Sequence, residues 1–153
     1  MLYKLEIENF FSIRDLQVLD LSVDRKVPDP EGRYVPIFPG ADQRAPKVVA
    51  LYGANASGKT TVLRALEFIA TMIRDSVMRT VPGFHGLERF NDLESLNRPV
   101  RFAIEMGGMM NLTPEVLRRA RNGGKVQWGV YRYELEIELK EGLALRIASE
   151  ALR

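Results

Sequence analysis

Residues 53–60 read GANASGKT, which matches the pattern G-x-x-x-x-G-K-[ST]. Glycines near both ends of this pattern let the backbone close into a tight loop, so that successive N–H groups converge on phosphate oxygens. A helix that begins directly after such a loop points its positive N-terminal end at the same anion. The stretch therefore predicts a phosphate-binding loop, the Walker A motif.

Each side chain after the loop has an expected role. The Lys59 ammonium supplies a cation for the β and γ phosphates, and the Thr60 hydroxyl supplies an oxygen ligand for Mg²⁺. Thr61 is placed to reach the α-phosphate. No catalytic residue is proposed. The predicted nucleotide-binding residues are Gly53, Ala54, Asn55, Ala56, Ser57, Gly58, Lys59, Thr60 and Thr61.

The segments on either side of the motif have the patterns that it requires. Residues 48–52, VVALY, form a short continuous apolar run typical of a strand buried on both faces. From residue 59 to about residue 78, apolar residues recur at spacings of three and four, which predicts a long amphipathic helix. Pro82 and Gly83 are expected to end it. Strand, loop and helix in this order are the setting of a phosphate-binding loop.

Alternating apolar and polar residues predict the remaining strands. Residues 4–8 and 16–23 are expected to form two short antiparallel strands. Residues 100–106 and 131–139 are expected to pair antiparallel, with a turn at Glu141 and Gly142 before a third strand over 143–147. Alternation also makes Glu134, Glu136 and Glu138 a solvated sheet face rather than a set of catalytic carboxylates.

Two connecting segments stand out by composition. Residues 25–47 hold five of the eight prolines and are predicted to be a proline-rich loop. Residues 107–125 are predicted to be an insertion with a short helix, since Thr113 suits the N-cap, Pro114 the first turn, and Gly123 the end. The only histidine, His85, is expected to be an exposed loop residue.

The overall composition limits the class of protein. A chain of 153 residues with 46% apolar and 27% charged residues is typical of one globular domain. The absence of cysteine excludes a disulfide scaffold, a thiolate zinc site and cysteine catalysis, and makes the cytoplasm the expected location. No apolar stretch approaches the ~20 residues of a membrane span. A net charge of +2 does not by itself predict nucleic-acid binding.

Other phosphate-loop classes fit less well. The guanine-specific motif N-K-x-D is absent from the sequence. Small nucleotide kinases carry the loop on their first strand, whereas here two predicted strands and a proline-rich loop precede it. A different branch of these proteins is therefore favoured.

Residues 1–15, MLYKLEIENFFSIRD, together with residues 52–66, YGANASGKTTVLRAL, resemble the N-terminal lobe of ABC-type ATPase heads. They look most like the SMC, RecF and overcoming-lysogenization-defect group, particularly the AAA-type ATP-binding proteins of bacterial phage-defence and abortive-infection systems. Residues 97–106, 131–137 and 147–152 resemble the antiparallel strands of that lobe. Phe11 is a departure, because many relatives place a basic residue just before the serine that approaches the nucleotide.

The resemblance implies an α/β fold: a P-loop NTPase of the ABC-head type, whose antiparallel sheet flanks the P-loop strand and helix. Residues 1–153 are then expected to form a single ATP-binding lobe that uses ATP and Mg²⁺. Relatives hydrolyse ATP in a composite site that adds an Asp-Glu strand (Walker B), a glutamine loop, a Leu-Ser-x-Gly signature and a switch histidine. None of these occurs before Arg153. We therefore expect hydrolysis only when the lobe is completed, by a homodimer partner, a C-terminal lobe or an effector protein.

Two further interpretations stay open. One is a non-hydrolysing module that works through protein contacts, and the other is a DNA-repair or chromosome-structure ATPase. In a DNA-repair or chromosome-structure ATPase, a basic cluster would contact the phosphates of nucleic acid. Otherwise this cluster forms a solvated helix face. Its members are Arg118, Arg119, Arg121 and Lys125.

Overall fold

A computed structural model of the protein describes residues 1–75, 87–139 and 145–152. The strands are β1 (Leu2–Glu8), β2 (Gln17–Asp20), β3 (Tyr34–Pro36), β4 (Arg44–Pro46), β5 (Val100–Met109), β6 (Trp128–Leu139) and β7 (Leu145–Leu152). The α-helices are α1 (Lys59–Asp75) and α2 (Pro114–Arg121), and a short 3-10 helix covers Ser95–Asn97. A five-stranded sheet has the order β2-β1-β5-β6-β7 with every neighbouring pair antiparallel. The architecture is thus mixed α/β around an antiparallel sheet.

The core lies between α1 and one face of this sheet. Alternate residues of β1, β5 and β6 are buried there, as the period-2 pattern predicts, and the apolar stripe of α1 packs on them. The predicted antiparallel pairs of strands are confirmed. The sheet contributes Leu5, Ile7, Phe102, Ile104, Tyr133, Leu135 and Ile137, and α1 contributes Ala65, Phe68, Ile69 and Met72.

The opposite face of the sheet carries a charged network centred on Arg132 of β6. Its guanidinium reaches across β5 and donates to both carboxylate oxygens of Glu6 on β1, at 2.9 and 2.7 Å. It also donates to Glu105 at 2.9 Å. These hydrogen bonds lower the pKa of Glu6 against the effect of burial. Burial and a hydrogen bond with Glu105 raise the pKa of Tyr3 to about 12.

The proline-rich segment differs from its prediction as a plain loop, because it contains the β3–β4 hairpin. Side-chain hydrogen bonds hold it in shape. The Asp29 carboxylate accepts the N–H groups of Arg33 and Tyr34 at 2.7 and 2.9 Å. The Arg44 guanidinium donates to the backbone carbonyls of residues 24, 25 and 27. The spacing of the prolines does not predict these contacts, because they join a side chain to backbone groups as many as 20 residues away in sequence.

The prediction of a buried strand over residues 48–52 is wrong for the described structure. These residues form no strand, and Val48 and Tyr52 are 83% and 92% exposed. An apolar run becomes a strand only when a neighbouring strand accepts its backbone hydrogen bonds and covers its faces. No strand of the described chain pairs with these residues. The run is apolar, but a local pattern does not specify whether a neighbouring strand is present to pair with it.

Helix α2 begins as predicted. The Thr113 hydroxyl accepts the Val116 N–H at 3.2 Å, Pro114 occupies the first turn, and none of the helix residues is buried. The predictions for Pro82 and Gly83, for His85, and for the turn at residues 141 and 142 lie outside the described residues. Neither of the two α-helices within the described ranges has the length and apolar character needed to cross a bilayer.

Candidate functional site

The loop of residues 53–58 leads into the N-terminus of α1 through an unusual backbone path. Gly53, Ala56 and Gly58 all have positive φ angles, of 155°, 63° and 85°. Glycine adopts such angles freely, and a Cβ at Gly53 would also lie 2.8 Å from the Ser57 hydroxyl oxygen. Ala56 adopts its angle at a cost of about 1–2 kcal/mol. The two motif glycines are therefore needed for this path, and Ala56 is strained by it.

The Lys59 side chain folds back over the loop. Its ammonium donates to the carbonyls of Gly53 and Ala54 at 2.9 and 2.6 Å and to the Ser57 hydroxyl at 3.2 Å. These contacts hold a positive charge against the loop, and no carboxylate of the described residues pairs with it. The sequence predicts this ammonium as the cation for the β and γ phosphates, and that role stays a prediction.

The first turn of α1 adds unpaired donors beside that charge. The first hydrogen bond of the helical type runs from the Val62 N–H to the Gly58 carbonyl at 3.0 Å. The N–H groups of Gly58, Lys59 and Thr60 have no acceptor among the described residues, as expected for the first turn of a helix. Together with the helix dipole they form an electropositive site for an anion.

Thr60 and Thr61 differ in their surroundings. Thr60 is exposed at the start of α1, whereas Thr61 is buried, and its hydroxyl oxygen lies 2.7 Å from that of Ser12. Within the described ranges no three His, Cys, Asp or Glu residues cluster to hold a metal. A magnesium ion that binds one protein hydroxyl and otherwise phosphate oxygens and water fits this donor set. The assigned roles of the two threonines stay predictions.

The turn between β1 and β2 lies against the start of α1, and Asn9 holds it in place. This side chain is fully buried. Its amide nitrogen donates to the carbonyls of Ser95, Arg98 and Pro99 at 2.9–3.3 Å, and its oxygen accepts the Phe90 N–H at 3.2 Å. Sequence reasoning missed this residue. The signal in the sequence is that Asn9 is polar and directly follows the alternating pattern of β1.

Phe11 follows in the same turn and makes an aromatic–cation contact. The Arg64 guanidinium lies over the Phe11 ring, 4.7 Å from its centre, and the Phe11 ring meets Phe10 edge-on at 4.7 Å. Phe10 is buried in the core, so its contact with Phe11 holds the Phe11 ring against the core. An arginine of α1 thus lies beside Phe11, the position at which many of the resembled proteins carry a basic side chain.

The remaining candidates lie elsewhere on the molecule. The basic cluster of α2 and the residues after it is exposed, and none of its four side chains pairs with a described carboxylate. Glu136 pairs with Arg101 across the sheet at 3.4 Å, which supports its interpretation as part of a sheet face. Neither group is near the loop in sequence or joined to it by a described contact.

Comparison with known protein families gives a match over part of the chain. Residues 48–116 match the family described as "AAA domain, putative AbiEii toxin, Type IV TA system". The matched region includes the loop, α1 and β5. It supports an AAA-type P-loop ATPase family and a nucleotide-binding function. No curated protein and no solved structure matches the chain.

Proposed function

We propose that the protein binds ATP with Mg²⁺ through residues 53–61, as the nucleotide-binding part of an ABC-type ATPase. The observation that carries this proposal is the Lys59 ammonium held over the loop, 2.6 Å from the Ala54 carbonyl, next to the free N–H groups of α1. A cation and converging amides together favour a polyphosphate over a single carboxylate. The family match over this segment gives independent support.

The chain's own residues divide the work of binding. The loop amides and Lys59 hold the β and γ phosphates, Thr60 presents a hydroxyl to the metal, and Thr61 faces the α-phosphate. Bound Mg²⁺ would neutralise phosphate charge and orient the terminal phosphate. Hydrolysis also needs a positioned water and added charge stabilisation. We propose that those groups come from a second lobe or subunit.

The exposed apolar run at residues 48–52 supports a larger assembly. Val49 and Leu51 line an apolar groove of about 470 Å³ together with Leu63 and Leu66 of α1, and Leu63 is 60% exposed. A groove lined by exposed apolar side chains is typical of a surface that contacts another protein or lobe. We propose that a further lobe or a second copy covers it in the functional ATPase.

A phage-defence or toxin–antitoxin setting is the biological role that we propose. It rests on the resemblance of residues 1–15 and 52–66 to defence ATPases and on the description of the matched family. The second candidate is a DNA-associated ATPase. The exposed basic cluster around Arg119 is the observation that favours it, since unpaired cations on one helix suit a phosphate backbone.

Calorimetric titration with ATP and Mg²⁺ tests the proposal. We expect saturable binding by the unaltered protein and at least a tenfold loss in Lys59→Ala, because a charge-assisted contact to phosphate is worth about 1.5–3 kcal/mol. Lys47→Ala, which removes an exposed lysine from outside the loop, is the control. Equal affinities of Lys59→Ala and the unaltered protein would overturn the proposal.

A further inference from the structure

Unlike α1, helix α2 has no buried residue. It lies in the connection between β5 and β6 and is held at its two ends. At the start the Thr113 hydroxyl accepts the Val116 N–H, and at the end Gly123 takes a φ of 72°. The N–H groups of Gly123 and Gly124 then bond back to carbonyls of the last turn. A helix of 8 residues held in this way presents most of its surface to solvent.

The end of α2 and the residues after it carry an unbalanced positive charge. Residues 115–125 hold four cations and one carboxylate, whereas the whole chain has a net charge of +2. The rest of the sequence therefore has a slight excess of acid. All four cations are exposed, and none forms an ion pair with a carboxylate of the described residues. Three of them lie in the last turn, where they also suit the helix dipole.

The helix dipole does not account for two leucines that are exposed beside these cations. Leu112 is 61% exposed and Leu117 is 42% exposed. Leu117 and Arg121 are four residues apart on the helix, and Arg118 and Arg121 are three apart, so these side chains are neighbours on one surface. An apolar group rimmed by charge marks a contact surface. We call it the α2 surface, and it consists of Leu112, Glu115, Leu117, Arg118, Arg121 and Lys125.

We propose that the α2 surface docks an acidic, amphipathic segment of another protein. Carboxylates of that segment pair with the arginines, and its apolar side chains cover the two leucines. Arginine beside apolar side chains is a composition enriched in protein interfaces. The inference does not depend on nucleotide binding, because no described contact joins α2 to the loop of residues 53–58.

Two other polyanions fit the α2 surface less well. A nucleic-acid backbone pairs with the cations but leaves both leucines in water. A helix that lies on an anionic membrane needs a wide apolar face, whereas Val116 and Ala120 of α2 are already half-buried. Glu115 lies three residues from Arg118 on the same surface, and its carboxylate repels phosphate of either kind. A protein segment offers a polar or basic group to Glu115 as well.

Fluorescence anisotropy of three labelled peptides, titrated with the full chain, tests the proposal. The first peptide is a synthetic amphipathic helix of glutamate, leucine and alanine. In the second peptide glutamine replaces every glutamate, and in the third serine replaces every leucine. We expect saturable binding of the first peptide and at least about tenfold weaker binding of the other two, because the surface needs both opposite charge and apolar cover.

Substitutions on the α2 surface test both halves of this chemistry. Leu117→Gln should weaken binding of the first peptide about tenfold, the loss expected when one leucine is no longer buried. The double variant Arg118→Gln with Arg121→Gln should weaken it about fivefold, as two exposed ion pairs are lost. Leu93→Gln and Lys26→Gln make the same changes at exposed positions elsewhere and should bind normally. Circular dichroism of each variant verifies that it is folded.

The same titrations with duplex DNA and with phosphatidylserine vesicles supply the outcomes that overturn the proposal. Tighter binding of either one than of the first peptide, weakened by the arginine variant but not by Leu117→Gln, would make this a phosphate site. Equal binding of all three peptides, or no binding of the first, would also overturn docking. Lys59→Ala should lose ATP and keep the peptide, so the failure of this inference and that of the proposed function are distinguishable.

Discussion

The hydroxyl oxygens of Ser12 and Thr61 lie 2.7 Å apart, although 49 residues separate them in sequence. This hydrogen bond joins the turn after β1 to the first turn of α1. Because Thr61 directly follows the predicted magnesium ligand, the position of the turn affects the geometry of the whole loop. The Ser12–Thr61 hydrogen bond thus links the turn after β1 to the candidate phosphate site, in addition to the packing of α1 on the sheet.

Asn9 anchors that turn, and its removal should cost stability. Asn9→Ala removes the side-chain hydrogen bonds to four backbone groups, one of the bonds buried and three part-buried, and places alanine at a φ of 54°. We expect the free energy of unfolding to fall by about 3 kcal/mol. Urea denaturation measures this. Asn91→Ala, at an exposed position, should change it by less than about 0.5 kcal/mol, and equal effects of the two substitutions would contradict the anchoring role.

Ala56 carries the strain of the loop, so Ala56→Gly should relieve it. Replacing a strained residue of positive φ with glycine stabilises the folded state by about 1–2 kcal/mol. The greater freedom of glycine in the unfolded chain offsets part of this gain. We expect a net rise in unfolding free energy of up to about 1 kcal/mol in thermal or urea unfolding. Ala54 has no positive φ, so Ala54→Gly should lower stability. A destabilised Ala56→Gly variant would show that the loop path described here is wrong.

Two adjacent glycines of β5 should respond differently to the same change. A Cβ at Gly107 would lie 2.3 Å from the Ile37 carbonyl oxygen, a backbone atom with little room to move. Gly107→Ala is therefore expected to lower the free energy of unfolding by about 2–3 kcal/mol. At Gly108 the nearest atom is a Tyr131 ring carbon at 3.5 Å, so Gly108→Ala should be neutral or slightly stabilising. Similar losses in both variants would contradict this packing.

The charged sheet face should make stability depend on pH in the acid range. The folded-state pKa values of Glu6 and Glu105 are lowered, in Glu105 because hydrogen bonds from Tyr3 and Arg132 outweigh the opposing effect of burial. A carboxylate whose pKa is lowered on folding stabilises the folded state at pH values above its unfolded-state pKa, near 4.5. This stabilisation is lost as the pH falls through the folded-state pKa. We expect unfolding free energy to decline below about pH 4.5.

Arg132→Met tests the source of this dependence. At pH 7 we expect a loss of about 2 kcal/mol, because Glu6 and Glu105 lose their charge-assisted hydrogen bonds. The difference from the unaltered protein should shrink as the pH falls and the carboxylates become protonated. Arg101→Met removes a more exposed arginine with a weaker pair to Glu136, at 3.4 Å, and should cost less than about 1 kcal/mol. A pH-independent loss in Arg132→Met would contradict the network.

Local patterns predicted much of this structure. Alternation located β1, β5 and β6, because each has one face buried under α1, and the capping residues Thr113 and Pro114 located α2. The spacing of the glycines and Lys59 indicated the loop, since a backbone path with positive φ angles requires particular residues there.

Features that depend on distant partners were not predictable in this way. The hairpin within residues 25–47 needs Arg44 to reach carbonyls about 20 residues earlier. The exposed run at 48–52 shows that an apolar segment is a strand only beside another strand. The contact of Phe11 with Arg64 is likewise not predictable from a local pattern, because it follows only from the packing of a turn against a helix.

If the protein binds ATP as proposed, the phosphates of the nucleotide lie on the backbone amides of residues 56–61. The amide NMR signals of the unaltered protein during a titration with ATP and Mg²⁺ test this. We expect large, saturating shifts at Gly58, Lys59 and Thr60, whose N–H groups have no described acceptor, and small shifts in α2. Unmoved loop amides at an ATP concentration that saturates binding elsewhere in the chain would contradict this proposal.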